Sequence, residues 1–292
     1  MSTPIGVVGL GNMGLPIVAR LIGAGRNVVA LARNETKAAA AQTQGARVVG
    51  SLAELAALTN VILLSVPSDA EVEDITNGLG ALLPVGSLIV DTSTISPAVA
   101  RRVAAALAAR GIDFVDAPVS GGPGGVEQAT LAVMAGGETG ALDRAADVMA
   151  PFTGRFVRCG SSGSGQVAKA CNQLVVVTTL QVVSEALVLA KAAGADVSAV
   201  REALLGGFAA SRILELQGQR MIDRDFAPRG TVKMQRKDVH VIEDLARQSG
   251  ITALPAFNVA AANVVRLDEN GGGGLDHAAL ITVLEQDTGV TL

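Results

Sequence analysis

Gly163-Ser-Gly-Gln-Val-Ala-Lys-Ala-Cys-Asn172 is the stretch on which the reading of this chain turns. Residues 166–193 contain neither glycine nor proline, and at about 1.5 Å per residue one helix over that span would be roughly 40 Å long. That length suits a spine between two domains. Lys169 and Asn172 are three apart and so share a helical face, from which Gly165, four before the lysine, removes a side chain. A ligand can come close there. Val167, Ala168, Ala170 and Cys171 surround the lysine with small apolar groups, a setting that disfavours the charged ammonium. Most lysines are solvated and inert, so chemistry at Lys169 depends on what the flanking sequence supplies.

Upstream, a short apolar run over 5–8 ends in Gly9-Leu-Gly-Asn-Met-Gly14, after which Leu15, Ile17, Val18, Leu21 and Ile22 recur at helical spacing. This predicts strand, tight turn, helix. In that context the G-x-G-x-x-G pattern has a physical meaning: Gly9 for the turn, Gly11 for backbone approach to a pyrophosphate, Gly14 for helix–strand packing. The backbone of Leu10, Asn12 and Met13 completes the turn, and the helix N-terminus presents free N–H groups to phosphate. A second strand over 27–32 carries no acid at its end, where one would bind the ribose hydroxyls of NAD; Arg33 follows, with Lys37 nearby. These cations suit a ribose 2′-phosphate and favour NADP, while Arg33 stacking on adenine leaves NAD open. Further strands over 47–49, 61–64 and 88–91 alternate with helices, and their apolar character on both faces predicts a parallel sheet covered by helices. Ligands of such sheets bind at the strand C-termini, which makes Pro67 and Thr94 cofactor neighbours; Ser96-Pro97 also reads as a simple helix start. A strand over 112–115 leads into Asp116-Ala-Pro-Val-Ser-Gly-Gly-Pro-Gly-Gly125, where the N–H groups of Ser120, Gly121 and Gly122 can form a concavity for a carboxylate, or the segment is only a flexible turn. A strand over 131–135, a helix over 141–149 and a short strand over 156–159 complete this half.

Downstream of Gly194 only helical spacing remains, over 197–205, 213–221, 234–249, 255–270 and 277–288, broken at Gly206-Gly207, 228–230, Gly250 and 271–274. An α/β Rossmann-type domain over 1–163, an interdomain helix over 164–193 and an all-α substrate and oligomerisation domain over 194–292 follow, with the substrate expected in the cleft.

A hydrophobic content of 49% over 292 residues supplies packed cores, and a net charge of -4 without a basic run argues against nucleic acid or an anionic membrane as partner. The polar residues within 174–190 favour a buried soluble helix over a membrane span. The N-terminus shows no basic region followed by an apolar core, so no signal peptide is expected, and Cys159 and Cys171 without a C-x-x-C arrangement fit a reducing cytoplasm. Absence of tyrosine rules out a Tyr-Lys relay, and with His240 and His277 alone a multi-histidine metal site is not expected.

Together Gly9-Leu-Gly-Asn-Met-Gly14, Asp116-Ala-Pro-Val-Ser-Gly-Gly122, Gly165-Gln-Val-Ala-Lys-Ala-Cys-Asn172 and Lys237-Asp238 resemble the β-hydroxyacid dehydrogenase family over nearly the whole chain. The resemblance implies NAD(P)-dependent interconversion of a small 3-hydroxy acid and its semialdehyde, of the tartronate semialdehyde reductase or 3-hydroxyisobutyrate dehydrogenase type. It implies that Ser120, Gly121 and Gly122 hold the substrate carboxylate, that Lys169 is catalytic, that Asn172 orients the substrate, and that Thr94 and Lys237 touch the cofactor. It also implies a homodimer or homotetramer. Imine reductases share the fold but usually replace the lysine, which this chain keeps. The NAD-linked relatives carry an acid where this chain has Ala32, again pointing to NADP. Phe208, Ser211, Arg212 and Lys233 are candidates for substrate choice. Alternatives are a reductase of succinate semialdehyde or glyoxylate, a non-catalytic NADP-binding sensor or scaffold, and a His-dependent 2-hydroxyacid dehydrogenase using His240 or His277, the latter expected at the surface near a helix cap.

Overall fold

The computed structural model describes residues 3–292. Its strands are β1 (Ile5–Val8), β2 (Val28–Leu31), β3 (Arg47–Val49), β4 (Val61–Leu64), β5 (Leu88–Asp91), β6 (Asp113–Asp116), β7 (Val119–Ser120), β8 (Leu131–Gly136) and β9 (Thr153–Gly160). Between them run α1 (Gly14–Gly23), α2 (Glu35–Thr43), α3 (Leu52–Ala56), α4 (Asp69–Leu82), α5 (Pro97–Ala108), α6 (Gly122–Glu127) and α7 (Thr139–Met149). The sheet order is β3-β2-β1-β4-β5-β6-β8-β7, with β9 on β8. The first six strands of that order are parallel, as the apolar strands predict, and β8 runs antiparallel to β6 and β7. The order reverses between β1 and β4, the switch point at which open α/β sheets bind dinucleotides.

Alternation along each strand feeds two cores. Val7, Leu63, Val90 and Val115 enter one, and Val8, Leu64, Ile89 and Phe114 the other. Burying each such side chain contributes about 1.5–3 kcal/mol, so both faces of the sheet must stay covered. Register lines up Val8, Leu64, Asp91, Asp116 and Gly136 as successive neighbours across β1, β4, β5, β6 and β8. Two aspartates therefore interrupt an apolar row at the C-terminal edge of the parallel strands.

The stretch opened at Gly163 enters α8 (Ser164–Ala192). The chain packs as two compact units, the first ending at Lys169 and the second running from Ala170 to Leu292. The second contains the rest of α8 with α9 (Val197–Leu205), α10 (Arg212–Ile222), α11 (Val232–Gln248), α12 (Pro255–Glu269) and α13 (Ile281–Thr288). By length and composition α8 could cross a membrane. It instead supplies Val177, Leu180, Val183, Leu187 and Val188 to the helical core, and Gln181 and Ser184 are buried with them.

Several local readings change. The last strand of the sheet, β9, spans eight residues instead of the four at 156–159, because exposed Gly154 and Arg155 hide its pairing with β8 from an apolar-run reading. The glycine-rich segment after Ser120 is not a loose turn: Pro123 at the start of α6 favours a helical first turn, and Gly121 and Gly122 (φ 130 and 63) make the bend into it. Residues 277–288 begin with a 3-10 turn over His277–Leu280, and 272–274 form another.

Candidate active site

The turn between β1 and α1 is shaped by two close approaches. Gly9 adopts φ +97, and a Cβ there would lie 2.1 Å from the Ser65 carbonyl oxygen; one on Gly14 would lie 1.9 Å from the Gly9 carbonyl oxygen. Gly11 differs, for a Cβ there meets nothing within 4 Å. The protein itself therefore does not require glycine at 11, whereas a ligand lying against the backbone would. Leu10 is buried in the core, Met13 packs against it, and Asn12 is exposed. Among the described residues no side chain caps α1 and its first turn holds no acid, whereas α2, α3, α4 and α5 are capped by Asn34, Ser51, Ser68 and Ser96. The N-terminus of α1 is thus open to an anion, and the residues present fit a dinucleotide pyrophosphate.

Past β2, Arg33 is exposed and makes no side-chain hydrogen bond or ion pair among the described residues; Lys37 is also exposed. Pro67 is exposed at the end of β4, and Thr94 is half-buried after β5. Ser93 links their loops: its Oγ accepts from Val66 N at 2.9 Å, and its own N–H donates to Asp91 Oδ1 at 2.9 Å.

Lys169 is 8% exposed, and its Nζ donates to the Val119 carbonyl at 3.0 Å, one residue before Ser120. The half-buried Ser120 hydroxyl makes no hydrogen bond among the described residues. Three features hold the lysine's helix in place. Asp116 Oδ1 accepts from Gly163 N at 2.7 Å, Asp116 Oδ2 from Gln166 N at 3.0 Å, and the Gln166 amide donates to Ser93 O at 2.8 Å while accepting from Ile95 N at 3.2 Å. The first unit thereby brings the Ser120 loop, the Thr94 loop and Lys169 together. Burial pushes the Asp116 carboxyl up to about 6, against the pull of the Gly163 and Gln166 N–H groups, and pushes Asp91 up to about 7. Asp116, Gln166, Ser93 and Asp91 were not singled out from sequence. An acid ending an apolar strand and a glutamine opening an apolar helix were the available signals.

In the second unit Asn172 Nδ2 donates to Gln173 Oε1 at 2.8 Å, and Gln173 in turn donates to Asp238. Lys237 stands beside Asp238 on α11, half-buried. Ser211 caps α10, with its Oγ accepting from Leu214 N at 3.0 Å, and Arg212 pairs with Glu215 at 2.7 Å; Phe208 and Lys233 are exposed. His240 is exposed. His277 is not the surface residue expected: its side chain is 18% exposed, and burial holds its imidazole below the ordinary value. Asp276 does the capping, accepting from Ala278 N. Among the described residues no cluster of three or more His, Cys, Asp or Glu could hold a metal ion.

An uncapped helix N-terminus at the switch point suits a dinucleotide, and a buried amine bonded to the carbonyl next to Ser120 can move a proton, a combination that suits an oxidoreductase working with a nicotinamide cofactor. The chain matches the family model of the NAD binding domain of 6-phosphogluconate dehydrogenase over residues 4–160 and that of the NAD-binding domain of NADP-dependent 3-hydroxyisobutyrate dehydrogenase over 163–284. It is 36% identical to 2-hydroxy-3-oxopropionate reductase of Escherichia coli (strain K12), covering 96% of this chain and 97% of that one. A probable 3-hydroxyisobutyrate dehydrogenase of Mycobacterium tuberculosis (strain ATCC 25618 / H37Rv) is 32% identical over 97% of this chain and 98% of its own. The solved structure of M. tuberculosis 3-hydroxyisobutyrate dehydrogenase with L-serine aligns with a TM-score of 0.89 at 32% identity, covering 97% of this chain and 99% of that one. The chain belongs to the β-hydroxyacid dehydrogenase family and is an NAD(P)-dependent oxidoreductase acting on a CH–OH group.

Proposed function

We propose that the protein interconverts a small 3-hydroxy carboxylic acid and its semialdehyde, of the tartronate semialdehyde or 3-hydroxyisobutyrate type, with NADP preferred over NAD. The observation that carries this reading is the amine of Lys169, buried and turned onto the carbonyl of Val119 beside Ser120. When bound, the nicotinamide supplies or accepts the hydride. Lys169 handles the proton: in reduction its ammonium protonates the carbonyl oxygen that becomes the alcohol, and in oxidation its neutral amine takes that proton back. Ser120, Gly121 and Gly122 hold the substrate carboxylate by backbone N–H groups and the Ser120 hydroxyl, and Asn172, on the same helix as Lys169, orients the reacting oxygen. Gly9 to Gly14 take the pyrophosphate, Pro67 and Thr94 flank the cofactor, and Lys237 contacts it. Arg33, exposed and unengaged, supports NADP through its reach for a 2′-phosphate. The two free cysteines fit a reducing cytoplasm. Exposed Val175, Val182 and Leu189, seven residues apart along α8, support assembly as a homo-oligomer.

A matrix of NADPH and NADH against tartronate semialdehyde, methylmalonate semialdehyde, succinate semialdehyde and glyoxylate tests the reading. NADPH oxidation with one of the first two, faster than with NADH, is expected. Tight NADPH binding without turnover of any of the four would overturn it in favour of a non-catalytic role.

A further inference from the structure

Asp116 ends β6 with its side chain fully buried, and among the described residues no Lys, Arg or His forms an ion pair with it. A carboxylate so placed is costly unless hydrogen-bonded. Its partners are the N–H groups of Gly163 and Gln166, which flank the first turn of α8. Glycines keep the space around it: a Cβ on Gly136 would lie 2.8 Å from Oδ1, and one on Gly165 2.8 Å from Oδ2. Three residues after Asp116 comes Val119, whose carbonyl receives the amine of Lys169, and three residues after Gln166 comes Lys169 itself. One residue thus anchors both sides of a single contact, the loop through its backbone and the helix through its carboxylate.

We propose that Asp116 is a positioning residue for Lys169: by binding α8 to the loop that starts at its own position, it sets the spacing between the amine and Ser120. The role is more demanding than helix capping. A serine or asparagine caps a helix nearly as well as an aspartate, but neither offers two acceptor oxygens to Gly163 and Gln166 at once. A shift of the amine relative to the Ser120 loop separates the proton donor from the group that anchors the substrate, and misplacement of that kind lowers turnover without removing any binding group. The proposal rests on the reading of Lys169 as the acid/base group.

The test compares Asp116→Asn and Asp116→Ser with the parent in four measurements: thermal unfolding, NADPH affinity, kcat and KM for the hydroxy acid, and the rate at which a small acylating reagent labels Lys169, read by mass spectrometry of its peptide. The expected result is folded variants with NADPH affinity and KM within about threefold of the parent, kcat lower by about 10- to 100-fold, and faster labelling of Lys169. A folded variant that keeps kcat within about twofold overturns the proposal. Failure of both variants to fold also overturns it, since the carboxylate then serves the fold alone. If the parent turns over no hydroxy acid, the functional reading fails separately, and the labelling decides: faster labelling in the variants upholds the positioning role, and unchanged labelling ends it.

Discussion

Asp91 and Asp116 are register partners on the adjacent parallel strands β5 and β6, and both are fully buried. Asp116 has two N–H donors, whereas Asp91 has one oxygen bonded to Ser93 and the other without a hydrogen-bond partner among the described residues. Burial raises both carboxyls, and the two N–H donors pull that of Asp116 back down. Burial, with a further contribution from the Asp116 charge, raises the Asp91 carboxyl from 3.8 to about 7. Folded protein therefore binds a proton that unfolded protein has already lost between those values. The stability this group contributes is fully present below pH 3.8 and is lost as pH rises to about 7. Asp91→Asn, which cannot ionise, is expected to match the parent near pH 4 and to exceed it at pH 8, by a few kcal/mol at most at about 1.4 kcal/mol per pKa unit. Thermal unfolding of both proteins across that range checks the crossover, and equal stability at pH 8 would sink the argument.

Lys169→Ala removes the only proposed proton carrier while leaving the glycine turn intact. Turnover is expected to fall by about 10²- to 10⁴-fold, with NADPH binding close to the parent's. Lys169→Arg should not restore it, because a guanidinium stays protonated in proteins and cannot serve as the base. Parallel measurement of kcat and of NADPH affinity by fluorescence separates this from loss of the cofactor site.

Local physics made much of the protein legible in advance. Apolar runs at β1, β4 and β5 predicted the parallel sheet, and the glycines at 9, 11 and 14 the turn, because both depend on neighbouring residues. Lys169 stood out for the same reason. What joins it to the Ser120 loop did not, since the bonds from Gly163 and Gln166 to Asp116 cross 47 and 50 residues, and that from Gln166 to Ser93 crosses 73. No local pattern encodes such a pairing. At 121–125 composition left two readings open, and the flexible turn is the one that gives way, since Pro123 and two positive-φ glycines make a defined entry into α6.

Arg33 offers a direct test of cofactor choice. A charge-assisted bond to a 2′-phosphate contributes about 1.5–3 kcal/mol, so Arg33→Ala is expected to weaken NADPH by roughly 10- to 100-fold. NADH has no such group and should change little. Because Arg33 is exposed and makes no side-chain hydrogen bond or ion pair among the described residues, the fold should be indifferent to its loss. An equal loss for both cofactors, measured by titration, would instead mean that Arg33 stacks on adenine.

The three glycines of the first turn separate folding from binding. Alanine at Gly9 would place a Cβ 2.1 Å from the backbone oxygen of Ser65, directly after β4, at a φ of +97, and that backbone cannot yield. Gly9→Ala is expected to cost about 2–4 kcal/mol of stability or to prevent folding. Gly11→Ala should be nearly silent in thermal unfolding, within about 0.5 kcal/mol, because its Cβ enters open space. On the proposed reading the pyrophosphate approaches the N-terminus of α1 through that space, and a methyl group there would hold the phosphates away from N–H groups that no side chain caps among the described residues. The same substitution should therefore weaken NADPH by about tenfold or more, given that charge-assisted bonds to phosphate contribute about 1.5–3 kcal/mol each. Unfolding curves and NADPH titrations on the two variants read the two effects apart. Unchanged NADPH affinity in Gly11→Ala would show that the dinucleotide does not use this turn.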